Sequence, residues 1–342
     1  MTSCEKVLTV SVAAYNVGNT LDETLKHFLP VKEKDRIEVL IVNDGSKDNT
    51  EEIAKRYVEM YPNVFKLINK ENGGWGSTLN AGISVATGKY FKQLDGDDYY
   101  NEDNMDDFIE YLDKHDADMV YSPFVMFDDK TGGVIRQIGS YNWLFKENEL
   151  IYLDELEDFM PAMHTLTVKT KILKERQVHI TEHCFYTDLE FVLRAYNECS
   201  TMYYYDKNIY FYRIARDGQS MSVSGVRKHY KEHQKVLLSM IDYMNTSVQD
   251  QNIKRQFFNR LQNAAYYQYL FYMALPCTVE NKKELREYDK LLKEKSPKIY
   301  KKLSIHQPIN FWRKSNFMFY YLLAHYKTSQ DKKRKINLFE GV

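Results

Sequence analysis

The run Leu94-Asp95-Gly96-Asp97-Asp98 closes an apolar stretch with three carboxylates in four residues. Carboxylate oxygens are hard ligands. Two of them one residue apart can hold a divalent ion such as Mn2+ or Mg2+, which in turn bridges phosphate oxygens. An ion there would neutralise the charge that develops on a departing nucleoside diphosphate. On an extended backbone Asp95 and Asp97 share one side. The same residues also suit a polar turn that caps a helix near residue 104. Two further carboxylates stand out by context. Asp44, in Val42-Asn43-Asp44-Gly45-Ser46, fits an Asx-type turn. Asp188, in Tyr186-Thr187-Asp188-Leu189-Glu190, precedes a helical run from Phe191 to Tyr196 that it could cap.

Spacing rejects three other chemistries. A calcium loop opening at Asp95 needs glycine at its sixth position, which is Tyr100. Gly82 to Lys89 has five residues between its glycines, and Tyr90 stands where a P-loop needs Ser or Thr. Gly74-x-Gly76 is followed by Leu79, not by the third glycine of a dinucleotide fingerprint.

The elements that must position these carboxylates alternate. Val7–Ala14, Ile37–Val42, Val64–Ile68 and Tyr90–Leu94 read as buried strands. Between them lie helices: one opening at Thr20-Leu21-Asp22-Glu23 with capping-box spacing, one capped around Asp48-Asn49-Thr50-Glu51 and stopped by Pro62, and one over about 77–86. Such alternation predicts an α/β fold with a mostly parallel sheet flanked by helices. Ligands of these sheets bind beyond the carboxyl ends of strands, where Asp44 and Asp95 fall. A helix over Asn104–Lys114 and one strand over Met119–Phe127 follow, then a loop or hairpin at 128–149, a short strand at Thr165–Val168 and β patterns at 202–205 and 209–213. From about residue 226 the texture becomes long polar helices. The expected division is therefore residues 1–224 as the α/β domain and 225–342 as a helical C-terminal region.

Four ordered segments resemble family-2 glycosyltransferases of the GT-A fold: Ser11-Val12-Ala13-Ala14-Tyr15-Asn16, Val42-Asn43-Asp44-Gly45-Ser46, Asn80-Ala81-Gly82 with Ala86-Thr87-Gly88-Lys89-Tyr90, and Leu94-Asp95-Gly96-Asp97-Asp98. The resemblance covers about the first hundred residues strongly and continues more weakly to about Ser222. It implies an inverting enzyme that moves a sugar from a nucleotide sugar, with UDP favoured, to a hydroxyl of a glycan or lipid-linked acceptor in cell-surface polysaccharide synthesis. By that resemblance Ala14 and Tyr15 line the base-and-ribose pocket with Asn16 beside them, Asp44 meets the base, Asp95 with Gly96 meets ribose or metal, and Asp97 holds Mn2+ or Mg2+. Asp188 matches the position of the general base, preceded by Thr187 where the family more often has Glu. Arg216, with Gln219 or Ser220, would reach the pyrophosphate through a loop folding over the donor. Asn80 belongs to the donor-side helix. Leu79 stands before it where the family frequently has Arg.

Asn72-Gly73-Gly74-Trp75-Gly76-Ser77 precedes this helix, and the Gly74 amide region could face the donor. Trp75 would stack on a sugar in the acceptor pocket or anchor a buried loop, and His164, with Thr187, would line that pocket or serve structurally. A sugar nucleotidyltransferase would want a glycine-rich loop bearing Arg or Lys at residues 11–20, which is lacking. An inactive nucleotide-sugar-binding scaffold has no need of Asp95, Asp97 and Asp188 together.

The 342 residues carry a formal net charge of −1, which points to no nucleic-acid partner. The four cysteines, Cys4, Cys184, Cys199 and Cys277, form no zinc spacing and suit a reducing cytosol. Glu5 and Lys6 interrupt any leader-like apolar run, so the expected location is cytoplasmic. Phe311-Trp312-Arg313-Lys314, Phe317 to Ala324 and Lys332-Lys333-Arg334-Lys335 would suit either packing with a solvated basic tail or peripheral contact with the inner membrane face. Tyr266, Tyr267, Tyr269, Phe271 and Tyr272 would form a helix–helix core or a homodimer contact.

Overall fold

The structure is a computed structural model, which describes residues 5–214, 223–318 and 320. Cys4, Arg216, Gln219, Ser220 and the basic run at 332–335 lie outside the described residues. By internal contacts the chain divides into two compact units. Residues 5–156 and 161–214 form one, and residues 157–160, 223–318 and 320 form the other.

The first unit opens with β1 (Leu8–Ala14), α1 (Leu21–Lys26), β2 (Ile37–Asn43), α2 (Thr50–Met60), β3 (Phe65–Asn69), α3 (Trp75–Val85) and β4 (Tyr90–Asp95). Nearly every residue of β1, β2 and β4 is buried, as strands covered on both faces by helices must be. β1 is parallel to β2 and to β4, with Ala13 opposite both Val42 and Asp95. The chain then adds β5 (Tyr99–Tyr100), α4 (Glu102–Lys114), β6 (Met119–Tyr121), β7 (Phe124–Asp128), β8 (Val134–Ile138), β9 (Ile151–Tyr152), β10 (Leu166–Lys169), α5 (Thr170–Glu175), α6 (Thr187–Asn197), β11 (Thr201–Tyr204) and β12 (Tyr210–Ile214). The large sheet runs β3-β2-β1-β4-β10-β6-β11-β9 and the small one β5-β12-β7-β8. β10 is antiparallel to both its neighbours, so the central sheet is mixed and mostly parallel.

The strand order reverses between β1 and β4. Connections after β1 lead one way to β2 and β3, and β4 starts the other side. Beyond the carboxyl ends at such a reversal the two flanking loops part and leave a crevice. Ala14 and Asp95 stand at its mouth.

Three local expectations are corrected. The single strand over 119–127 is two strands in different sheets. Pro123 has no amide for a ladder, and the Ser122 amide leaves to bond Thr165 O at 3.1 Å. The capping box at Thr20 is not made: its hydroxyl donates instead to Gly96 O at 3.0 Å. The acidic cluster does not cap the helix after it either, because Asn101 does so by accepting the Asp103 amide.

The second unit comprises α7 (Val223–Thr246), α8 (Gln251–Ala274), α9 (Val279–Lys295), α10 (Pro297–Leu303) and α11 (Gln307–Lys314). Asp250 and Thr278 cap α8 and α9 through their side chains. Leu237, Met240, Ile241, Phe257, Leu261, Leu285 and Trp312 are buried in it. Tyr269, Phe271 and Tyr272 pack inside it too. Arg313 crosses this core, bonding Asp289 and the Tyr269 hydroxyl at 2.7 and 2.8 Å. Among the described residues no helix is long and apolar enough to cross a membrane.

Candidate active site

The acidic run turns as soon as β4 ends. Asp98 N donates to Asp95 O at 3.0 Å, and Gly96 N donates to Ala13 O at 2.9 Å. Only glycine fits there, since an added Cβ would lie 2.9 Å from Ala13 O and 3.0 Å from Val17 Cγ2. Gly96 O accepts the hydroxyls of Thr20 and Thr24, at 3.0 and 3.1 Å, which fastens the turn to α1. Extended geometry thus stops at Asp95, and a turn brings Asp97 near it where strand alternation was expected to. Burial pushes the Asp95 carboxyl up to about 7, and the neighbouring charge of Asp97 adds to the rise. Asp95 Oδ1 accepts Trp75 Nε1 at 2.7 Å and Gln93 Nε2 at 2.5 Å.

Asp98 faces the protein. Its carboxylate accepts the Tyr210 hydroxyl at 2.6 Å and the Arg213 amide at 2.7 Å, and burial holds its carboxyl well above the usual range. The Arg213 side chain braces the turn from outside: Nε donates to Asp97 O at 2.7 Å, while the guanidinium pairs with Glu23 and Asp129.

Asp44 is 1% exposed, and both its oxygens are occupied within the chain. Oδ1 accepts Lys70 Nζ, the Gly73 amide and Ser77 Oγ; Oδ2 accepts Asn72 Nδ2 and the Gly74 amide. The amides of 73 and 74 therefore point at Asp44. Gly74, at φ +82°, supplies the left-handed step into α3. The Asx-type bond of this loop is made by Asn43, whose Oδ1 accepts the Ser46 amide at 3.2 Å.

Next to Asp44, at the end of β1, Ala14 is buried, and its carbonyl accepts the Asp44 amide. Tyr15 beside it is 51% exposed. Asn16, at φ +52°, bonds Ser46 Oγ and the Lys47 amide, and so ties the loop after β1 to the loop after β2. Asn80 spends its side chain on Ile180 N, Ile180 O and Glu182, which positions the segment leading to α6.

That segment ends in Tyr186, at φ +63°, and α6 begins at Thr187. Asp188 lies inside the first turn, so it is not the cap. At this end of a helix the backbone dipole favours negative charge. Thr187 is buried, and its hydroxyl has no hydrogen-bond partner among the described residues. The charge of Asp188 reaches both Asp95 and Tyr212, adding to the rise of each. Asp95, Asp97 and Asp188 therefore share one electrostatic site. His164 is half-buried among the rings of Phe124, Tyr210 and Tyr212, whose centroids lie 4.6, 4.8 and 4.6 Å away. Behind it the buried Lys92 ammonium donates to His164 O at 2.8 Å and to Leu166 O at 3.3 Å; burial lowers Lys92 to about 7.

Several members of the site were not singled out from sequence: Gln93, Tyr210, Tyr212, Lys70 and Lys92. Gln93 had a signal, since it stands two residues before Asp95 and so on the same sheet face. Tyr210 and Tyr212 share a face of β12 in the same way. Nothing local marked Lys70 or Lys92.

The family described as Glycosyl transferase family 2 matches residues 9–176. Glycosyltransferase GlyG of Streptococcus pneumoniae is 28% identical over 223 residues, 63% of this chain and 73% of that one. The minor teichoic acid biosynthesis protein GgaB of Bacillus subtilis is 27% identical over 236 residues, 67% of this chain and 25% of that one. The chain thus spans only a quarter of GgaB. Among solved structures, S. aureus TarS 1–349 in complex with UDP-GlcNAc superposes with a TM-score of 0.67 at 19% identity, covering 95% of this chain and 92% of that one. Mannosyltransferase PcManGT from Pyrobaculum calidifontis, in complex with GDP-Man and Mn2+, gives 0.52 at 17% identity, covering 96% and 89%. With its motifs in order around one crevice, the chain belongs to glycosyl transferase family 2, in a GT-A-like fold.

Proposed function

We propose that the protein is an inverting glycosyltransferase that takes a sugar from a UDP-sugar and gives it to a hydroxyl of a glycan or lipid-linked acceptor in cell-surface polymer synthesis. The observation that carries this is the placing of Asp95 and Asp97 at the end of β4, where the strand order reverses, with Trp75 joining Asp95 to α6, which carries Asp188 in its first turn. The donor class is supported by the fold shared with a protein bound to UDP-GlcNAc, and the polymer class by the name of GgaB.

Among the described residues no cluster of three metal-ligating side chains is preformed. What the chain offers is two carboxylates, Asp95 and Asp97, whose mutual repulsion a divalent cation would relieve. Such a pair suits an ion whose shell is completed by substrate phosphates and water. Mn2+ or Mg2+ held there would supply charge neutralisation for the departing diphosphate.

The chain's own residues do the rest. Asp188 takes the proton of the acceptor hydroxyl as that oxygen attacks the anomeric carbon from the face opposite the diphosphate. The new glycosidic bond forms as the bond to the diphosphate oxygen breaks, and the configuration inverts. Tyr15, exposed at the crevice rim, stands where a nucleoside would lie. Asp44 fixes the loop at 70–77, and a direct base contact would need a donor to replace Lys70 or Asn72 on its oxygens. Arg216 and Ser220, which the family resemblance assigns to the pyrophosphate, lie outside the described residues.

A panel of nucleotide sugars with Mn2+ tests this assignment by release of nucleoside diphosphate. UDP release from at least one UDP-sugar, lost on chelation and restored by Mn2+, is expected. Failure to bind any nucleotide sugar would refute it.

A further inference from the structure

We propose that Trp75 and Gln93 are positioning residues for Asp95, and that they fix which carboxylate oxygen meets the donor. The proposal rests on Asp95 belonging to the donor site described above.

Both bonds to Asp95 land on one atom. Trp75 Nε1 reaches Oδ1 at 2.7 Å, and Gln93 Nε2 reaches the same Oδ1 at 2.5 Å. Two neutral donors on one oxygen hold the plane of the carboxylate and leave Oδ2 to be the oxygen presented to a cation or a ribose hydroxyl. An indole has one N–H and no acceptor, so the polar capacity of Trp75 is spent on this bond and it has none left for a sugar hydroxyl.

Gln93 gives a second, independent sign. It is fully buried on β4, and its Oε1 has no hydrogen-bond partner among the described residues. A buried amide with an unsatisfied oxygen costs stability. An apolar side chain would fill the same space without that cost, so the residue earns its place through its N–H. The indole is itself held in place. Gly73 and Gly74 beneath it are bound to Asp44, and Gly76 has no room for a Cβ, which would lie 2.3 Å from Thr181 O. On its other side Trp75 meets Phe191 edge-on at 6.3 Å, three residues after Asp188 on α6. One ring thus links the strand end that carries Asp95 to the helix that carries Asp188.

The test titrates the full chain with UDP in the presence of MnCl2, followed by tryptophan fluorescence and by calorimetry. The proteins are wild type, Trp75→Phe, Gln93→Leu and, as a control, Trp143→Phe, whose indole is exposed at the surface. Wild type and Trp143→Phe should show the same fluorescence change on binding, and Trp75→Phe should lose it. Trp75→Phe and Gln93→Leu should each need about 10–100-fold more Mn2+ to half-saturate UDP binding, as loss of a group that orients a metal ligand does. Melting temperatures close to wild type would separate this from general damage. If Trp75→Phe does not fold, the Mn2+ requirement of Gln93→Leu decides. Wild-type Mn2+ and UDP affinity in both folded variants would overturn the positioning role and leave the donor site standing. Absence of UDP binding by wild type would overturn the proposed function and this inference together.

Discussion

The Tyr210 hydroxyl donates to Asp98 Oδ2 at 2.6 Å and lies 3.2 Å from the amide of Asp95, which donates to it. One side chain from β12 thereby closes both ends of the acidic turn. Tyr210→Phe would leave a buried carboxylate and a backbone amide each short of one partner. The expected cost is about 1–3 kcal/mol, read as a lower urea midpoint with an unchanged slope. UDP affinity should fall with it.

Asp44 carries a separate prediction. Asp44→Ala removes the acceptor of two backbone amides, at Gly73 and Gly74, together with three side-chain donors. Buried amides left unsatisfied cost about 1–3 kcal/mol each, so chemical denaturation should show a loss of about 3 kcal/mol. Asp44→Asn keeps one acceptor oxygen and should lose less. Amide exchange at 73 and 74 should rise in both variants.

The buried ammonium of Lys92 predicts a pH effect. Burial lowers its folded pKa from 10.5 to about 7. Between those values the unfolded chain holds one more proton than the folded chain, so this group makes stability rise with pH. Its stabilising contribution is complete above the unfolded value and is lost as pH falls through the folded one. Lys92→Met should flatten the pH dependence of the denaturation midpoint between about pH 7 and pH 10. An unchanged slope would contradict the assignment.

Much of the scaffold was legible because it is local. β1, β2 and β4 announced themselves as unbroken apolar runs, and Asp95 could be placed at a strand end from sequence alone. The segment from Met119 to Phe127 misled because apolar character continues across Pro123 while the ladder partners change sheet. The acidic run was legible as a cluster, but its division of labour was not. Asp98 is turned inward by Tyr210 and Arg213, more than a hundred residues away in sequence. Asp44 read as a base contact or a turn former, whereas five donors from 70–77 converge on it only once β2 and β3 pair. Trp75 read as a stacking surface or a loop anchor, and its bond to Asp95 depends on α3 packing across β1. Thr20 illustrates the same point at small scale: its spacing matched a capping box, yet the nearby Gly96 carbonyl took the hydroxyl.

The most direct test of the account replaces Asp188 with Asn and measures transfer and Mn2+-dependent UDP binding on the same preparation. Asn keeps the size of the side chain but cannot accept the acceptor's proton. Transfer should fall by about 100- to 10,000-fold, the range for loss of a general base, while UDP binding stays near wild type. Transfer at the wild-type rate by the Asp188→Asn protein would contradict the central claim.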